Sequence, residues 1–316
     1  MFWYNVYGDI MEFLYSNTNK RYHTLDYYYK NKFNTKVFKI SLNAGFTCPN
    51  IDGKVGTGGC IYCEKGSGDY ENVPLLEQFN LVKNIMENKW HGKYIGYFQA
   101  HTNTYAPLDE LKRKYELILK QDNVIGLSIA TRCDAISSDV FDYLTLLNKR
   151  TFLTIELGLQ TIHEKTSILI NRCHSLECFT NMVKRLRENN INVVVHIING
   201  LPYETQDMMI ETVKFLNTLD IQGVKIHMLH ILKNTKLGKY YLENKFPILT
   251  KEEYIDTVIK ELEVLDPKIV IHRITGDPKV NDLIEPKWLI KKTILLNDID
   301  KEMKKRDTYQ GRLFTN

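Results

Sequence analysis

The sequence predicts an α/β protein built on a β/α barrel of six repeats, open or closed. Three observations predict it. Apolar runs with strand character recur at long, regular intervals, segments of helical period lie between them, and a glycine-rich loop with three cysteines follows the first run directly. The runs are 37–42, 94–99, 124–130, 152–157, 192–198 and 224–232. Across 175–189, Leu176, Phe179, Val183 and Leu186 share one helical face, with Ser175 placed to cap. Across 205–219, Met209, Val213 and Leu216 do the same. Thr250 followed by Glu253 reads as a capping box, opening a helix to about Leu265. A further run, 269–275, extends or flanks the sheet, and a basic helix follows from about Pro286. No low-complexity linker divides the chain. The expected organisation is a dispensable N-terminal extension (1–20), a β/α core (21–265), and a C-terminal strand with a basic helical extension (266–316).

Bulk composition narrows the class. At 316 residues there is room for one large domain or two ordinary ones, and 43% hydrophobic with 25% charged residues is ordinary for a soluble protein. No stretch approaches about 18 consecutive apolar residues, so no membrane span is expected. The N-terminus has no basic start and no small-residue cleavage site, so no secretory signal is expected either. Six cysteines, three of them clustered, do not form a disulfide framework and point to a reducing cytoplasm.

The net charge of +4 is unevenly placed. Residues 286–316 hold eight Lys or Arg against four Asp or Glu, and the first 47 residues interleave Lys20, Arg21, Lys30, Lys32, Lys36 and Lys39 with Tyr22, Tyr27, Tyr28, Tyr29 and Phe33. Such interleaving suits a phosphate backbone with unpaired bases. It equally suits a solvated face over an aromatic packing seam.

The cysteines lie in FTCPNIDGKVGTGGCIYCEKGSG as Cys48-x11-Cys60-x2-Cys63. Three thiolates from one loop hold an iron–sulfur cluster by three corners and leave one iron open. Gly53, Gly56, Gly58 and Gly59 let the backbone bend around a bulky inorganic core. The loop follows the first strand, and barrel active sites form at the C-terminal ends of strands. From spacing alone, a zinc site of three Cys and one His is the alternative.

With aromatic Tyr62 before the last cysteine, this loop resembles the cluster loop of radical S-adenosylmethionine (radical SAM) enzymes, in the stretched spacing of the Elongator catalytic subunit. GYFQAHTNTYAP, SIATRCD, ELGLQT, NRCH, VHIINGLPYET (resembling the signature GLPGET), KIHMLHILKNT, IHRITGDP and DTYQG extend the likeness over about residues 20–312. Together they resemble the YhcC/YtqA-type radical SAM proteins. The resemblance implies a partial (β/α)6 TIM-like radical SAM barrel with N- and C-terminal extensions. It implies a [4Fe–4S] cluster on Cys48, Cys60 and Cys63. It also implies S-adenosylmethionine bound near Tyr62, Gln99, Glu156, Gln160, Arg172 and His196, with Gln160 on the nucleoside, Arg172 on the methionine carboxylate and His196 facing the ribose. One departure is Cys133, where relatives more often carry proline. Cys133, Cys173 and Cys178 have the wrong spacing for a second ligand loop and are expected to be small buried cysteines.

The implied chemistry is cleavage of S-adenosylmethionine to a 5′-deoxyadenosyl radical, with an electron from flavodoxin or ferredoxin. The implied substrate is the anticodon arm of tRNA, gripped by the basic, aromatic ends of the chain. Because barrel and tail consume the sequence, the expected reaction remodels an existing 5-substituent of the wobble uridine, for example 5-carboxymethylaminomethyl to 5-aminomethyl. Two rivals are a radical SAM enzyme on a small molecule and a non-catalytic, zinc-stabilised RNA-binding module.

Overall fold

The computed structural model describes residues 3–4, 10–11, 13–64, 70 and 72–315. Parts of the expected N-terminal extension and the KGSG end of the cysteine loop lie outside the described residues. In chain order the first elements are β1 (Trp3–Tyr4), β2 (Ile10–Met11), α1 (Leu25–Phe33), β3 (Val37–Leu42), α2 (Leu75–Glu87), β4 (Lys93–Phe98), α3 (Leu108–Leu119) and β5 (Val124–Thr131). Then come α4 (Ser138–Asn148), β6 (Phe152–Gln160), α5 (Glu164–Leu169), α6 (Leu176–Glu188), β7 (Asn192–Asn199), α7 (Gln206–Leu216) and β8 (Gly223–Met228). The chain closes with β9 (Ile231–Leu232), α8 (Lys236–Glu243), α9 (Lys251–Val264), β10 (Val270–Arg273), β11 (Leu283–Glu285) and α10 (Lys292–Lys305). Seven strands share a sheet in the order β10-β8-β7-β6-β5-β4-β3, the α/β alternation expected of a partial β/α barrel. The chain divides into two compact units.

One unit comprises residues 29–159 and 171–195. Its strands pair in parallel, with Val37 opposite Lys93, Gly96 opposite Leu127 and Gly126 opposite Phe152. From Tyr94 to Phe98, β4 is buried without interruption, the pattern of a strand covered on both faces. Leu111, Tyr115 and Ile118 of α3 are fully buried at helical spacing. On α6, Phe179, Val183 and Leu186 are buried and Ser175 accepts from the Cys178 amide, as the periodicity and cap predict.

The other unit comprises residues 1–28, 160–170 and 196–316. Thr205 caps α7, and Thr250 with Glu253 forms the predicted capping box of α9. The run 269–275 supplies β10, which pairs in parallel with β8, so the sheet has a seventh strand. The run 224–232 is not one strand. It breaks after Met228, where the Leu229 amide bonds to the Asn199 carbonyl at 2.9 Å, and Ile231–Leu232 pairs antiparallel with β11. Residues 13–20 are not dispensable padding: Tyr15 is fully buried with its hydroxyl on the Pro267 carbonyl, and Phe13 stacks on Tyr309 at 5.0 Å.

The N-terminal aromatics are in part core residues, while Tyr27, Tyr28 and Phe33 are half-buried. Tyr22 and Tyr29 are buried, and His23 stacks on Tyr15 at 5.1 Å. For these residues the packing seam is the correct reading.

Candidate functional site

At Leu42 the chain leaves β3 for the cysteine loop. Buried Gln78 on α2 fixes that exit: its Oε1 accepts from the Asn43 amide at 2.8 Å, and its Nε2 donates to the Asn43 carbonyl at 2.9 Å and the Val73 carbonyl at 2.7 Å. Each end of the loop makes a tight turn. The Ile51 amide donates to the Cys48 carbonyl at 2.8 Å, and the Cys63 amide to the Cys60 carbonyl at 3.0 Å. Gly59, at φ +74°, takes a conformation that side chains disfavour. A Cβ on Gly56 would lie 2.2 Å from Asn50 Oδ1 and 2.7 Å from Cys173 Sγ, so any other residue there would displace the Asn50 side chain.

Asn50 joins the loop to the NRCH segment. It is fully buried, and its Nδ2 donates to the Asn171 carbonyl at 2.6 Å and to Cys60 Sγ at 3.6 Å. Its Oδ1 has no partner among the described residues. Asn171 answers by donating from Nδ2 to the Gly59 carbonyl at 2.8 Å and the Thr57 carbonyl at 3.3 Å.

The sulfurs are electrostatically linked. A hydrogen bond from Cys63 draws the Cys60 thiol down to about 6 against the opposing effect of burial, helped by the Tyr62 hydroxyl, the Arg132 charge and the Asn50 amide. Cys63 is pushed up, first by that same bond and then by burial and by the charges of Cys60 and Cys48. One proton leaves the pair easily and the second is resisted. Burial, then the neighbouring thiolates, raise Tyr62 well above the ordinary phenol range.

Arg132 is the residue that motif reading passed over. It follows β5 directly and is gripped by Asp134 in a fork, Nε to Oδ1 at 2.8 Å and Nη2 to Oδ2 at 2.7 Å. Its Nη1 donates to the Arg172 carbonyl at 2.9 Å. An Arg and an Asp two apart at a strand end (Arg132, Asp134) was the available signal. Arg172 is buried, with Nη1 on the Leu159 carbonyl at 2.7 Å and Nη2 on the His174 carbonyl at 3.0 Å.

The other predicted residues are placed differently. Gln99 directly follows β4, and its side chain makes no hydrogen bond among the described residues. The neighbouring Asn103 and Thr104 are structural ties: Asn103 Nδ2 donates to Phe98 and Ala130 carbonyls, and Thr104 Oγ1 to the Ala135 carbonyl. Glu156 lies inside β6, fully buried, accepting from Lys39 Nζ at 2.6 Å and Ser128 Oγ at 2.5 Å. Those two partners lie on β3 and β5. Gln160 ends β6 at φ +68°, and His196 lies on β7 with its ring 5.3 Å from His227. Both belong to the other unit. Of the remaining cysteines, Cys133 is buried and faces Cys178 at 3.7 Å, but Cys178 is only half-buried and Cys173 is exposed, its Sγ on Asn171 Oδ1 at 3.2 Å. Its loop position at φ +62° turns it out of the core.

The residues fit an iron–sulfur cluster. Three soft donors share one loop, one thiol ionises readily, and N–H and O–H groups point at its sulfur. Among the described residues, no three His, Cys, Asp or Glu side chains close tightly enough to hold a single ion. A cluster takes one thiolate per iron, so its ligand sulfurs stand farther apart.

The pattern of the radical SAM superfamily matches residues 52–216, and that of the radical SAM C-terminal domain matches residues 221–305. The chain is 50% identical over 307 residues to the uncharacterized protein YtqA of Bacillus subtilis, covering 96% of this chain and 95% of that protein. It is 32% identical over 261 residues to YhcC of Escherichia coli, covering 81% and 84%. A tRNA uridine(34) acetyltransferase of Methanocaldococcus infernus is 23% identical over 185 residues, 58% of this chain and 34% of that protein. The solved structure of Methanocaldococcus infernus Elp3 superposes with a TM-score of 0.66 at 16% identity, over 87% of this chain and 64% of that one, a likeness of fold.

Proposed function

The chain belongs to the radical SAM superfamily, whose cofactors are a [4Fe–4S] cluster and S-adenosylmethionine, and from that premise we propose a tRNA-modifying enzyme that remodels the 5-substituent of the wobble uridine. Conversion of 5-carboxymethylaminomethyl to 5-aminomethyl is the example we favour. The observation that carries the enzymatic reading is the thiol set Cys48, Cys60 and Cys63 beside Arg132. The tRNA reading is supported by the partial likeness to a tRNA uridine(34) acetyltransferase.

In this reading Cys48, Cys60 and Cys63 hold the cluster. When bound, cluster and S-adenosylmethionine supply a 5′-deoxyadenosyl radical that removes a hydrogen atom from substrate. Arg132 favours the thiolate form of Cys60, and Asp134 keeps its guanidinium in place. Asn50 and Tyr62 bond to the Cys60 sulfur and so hold the loop in its ligating shape. Gln99, Gln160, Arg172 and His196 remain assigned to S-adenosylmethionine. Glu156 is engaged by Lys39 and Ser128, so its part is to position Lys39. Flavodoxin or ferredoxin is the electron donor, in a reducing cytoplasm. No helix among the described residues is long and apolar enough to cross a membrane.

The test is deletion of the gene in its host, followed by mass spectrometry of tRNA nucleosides. A wobble uridine with an unprocessed 5-side chain should accumulate, and wild type but not Cys60→Ala should reverse it. An unchanged nucleoside profile removes the tRNA reading and leaves the small-molecule one.

A further inference from the structure

The loop after β7 contains a residue that turn chemistry disfavours. Leu201, Pro202, Tyr203 and Glu204 make a turn closed by the Glu204 amide on the Leu201 carbonyl at 3.1 Å. Proline is second, and the third position has φ +66°. Turns of this kind give that position to glycine, because a side chain there is strained. This chain instead places a tyrosine there and leaves it 58% exposed. A bulky aromatic at positive φ is a true outlier, of the kind that persists at functional positions.

Its surroundings, all in the same unit, are built around it. The Tyr203 hydroxyl bonds to that of Tyr240 on α8 at 2.8 Å. Buried Phe246 lies under both, with ring centres 6.0 Å from Tyr203 and 6.4 Å from Tyr240. The α8 helix is seated firmly: Thr235 caps it, and a Cβ on Gly238 would lie 2.1 Å from the Leu232 carbonyl oxygen. From 233 to 245 there are four lysines against one acid, Glu243. Lys236, Lys239 and Lys245 are exposed, and no carboxylate pairs with them among the described residues. Lys245 stands over the Tyr241 ring at 3.9 Å.

We infer that Tyr203 and Tyr240, with Lys236, Lys239 and Lys245, form a docking platform for an unpaired RNA loop. The tyrosine faces stack on splayed bases, and the lysines contact the adjoining phosphates. Charge complementarity selects RNA over an apolar partner, and aromatic faces select unpaired bases over a duplex. The inference rests on the tRNA reading, whose substrate base has to leave its stack to be reached.

The experiment measures binding of a labelled anticodon stem-loop to the cluster-loaded protein by fluorescence anisotropy, across a salt series. Wild type should bind in a salt-dependent way and prefer the loop to a duplex of equal length. Tyr203→Gly removes the turn strain, so the protein should melt no lower than wild type and yet bind roughly tenfold more weakly. Tyr240→Phe should keep its affinity and Tyr240→Ala should lose about as much as Tyr203→Gly. Wild-type affinity in both Tyr203→Gly and Tyr240→Ala overturns the platform but leaves the tRNA reading standing. No binding of the stem-loop by wild type at low salt overturns both.

Discussion

The last 31 residues and the α8 stretch (233–245) are both rich in lysine and belong to one unit, but they use their charge in opposite ways. In the C-terminal stretch all four acids are paired. Asp298 meets Lys251 at 2.8 Å, Asp300 meets Lys20, Glu302 meets Arg306 at 3.0 Å, and Asp307 meets Arg21 at 3.0 Å. Lys292 and Arg306 reach further acids, Asp277 at 2.8 Å and Asp256 at 2.7 Å. Much of that charge ties the end of the chain to the fold. Around α8 the lysines stand near exposed Tyr203 and half-buried Tyr240 and Tyr241, and Lys236, Lys239 and Lys245 have no ion pairs among the described residues. Counting cations from sequence ranks the C-terminus first as a nucleic-acid surface. The distribution of partners reverses that ranking.

Four outcomes break or sharpen the contrast. The largest is Cys60→Ala, which should abolish bound iron and all 5′-deoxyadenosine formation while leaving stem-loop affinity unchanged, since neither stretch holds the cluster. Iron content, product chromatography and anisotropy on one preparation check it. Next, joint Lys236→Gln, Lys239→Gln and Lys245→Gln should weaken stem-loop binding by tens of fold and flatten the log–log salt slope by about 2. Joint replacement of Lys292, Lys305 and Arg306 by Gln should do neither. Equal losses from the two triple variants would erase the distinction.

Glu261 offers a third arrangement, a buried acid with no paired cation among the described residues. Burial pushes it up to about 8, opposed by the bond it accepts from Asn199 Nδ2 at 2.8 Å. The folded state therefore holds a proton that the unfolded state releases near the ordinary carboxylate range. Stability should fall as pH rises from about 4.5 to about 8, by up to about 5 kcal/mol, and then level off. Glu261→Gln should remove that slope in urea titrations at several pH values.

The smallest effect belongs to the C-terminal pairing itself. Against burial, bonds from Lys260, Arg306 and Gln206 hold Asp256 down at about 2. That stabilisation is complete above the ordinary carboxylate range and is lost as pH falls through about 2. Arg306→Gln should cost at most about 1 kcal/mol at neutral pH and shift acid unfolding to higher pH, with no change in RNA affinity.

Features set by neighbours in the chain were legible without coordinates. Ser175 and Thr250 cap their helices as their spacing predicts, because a cap needs only its own side chain and an amide two or three residues on. The Cys60–Cys63 turn and the glycines around it are local in the same sense. The strand–helix alternation was equally visible, whereas the break at Met228 and the burial of Phe13 and Tyr15 were missed. What the tertiary structure decided was partnership across long chain separations. Lys39 with Glu156, Arg132 with the Arg172 carbonyl, and the cations that neutralise the C-terminal acids are set by where the fold brings them. A charge reads the same in sequence whether it meets a carboxylate or solvent, and only the distance between side chains tells the two apart.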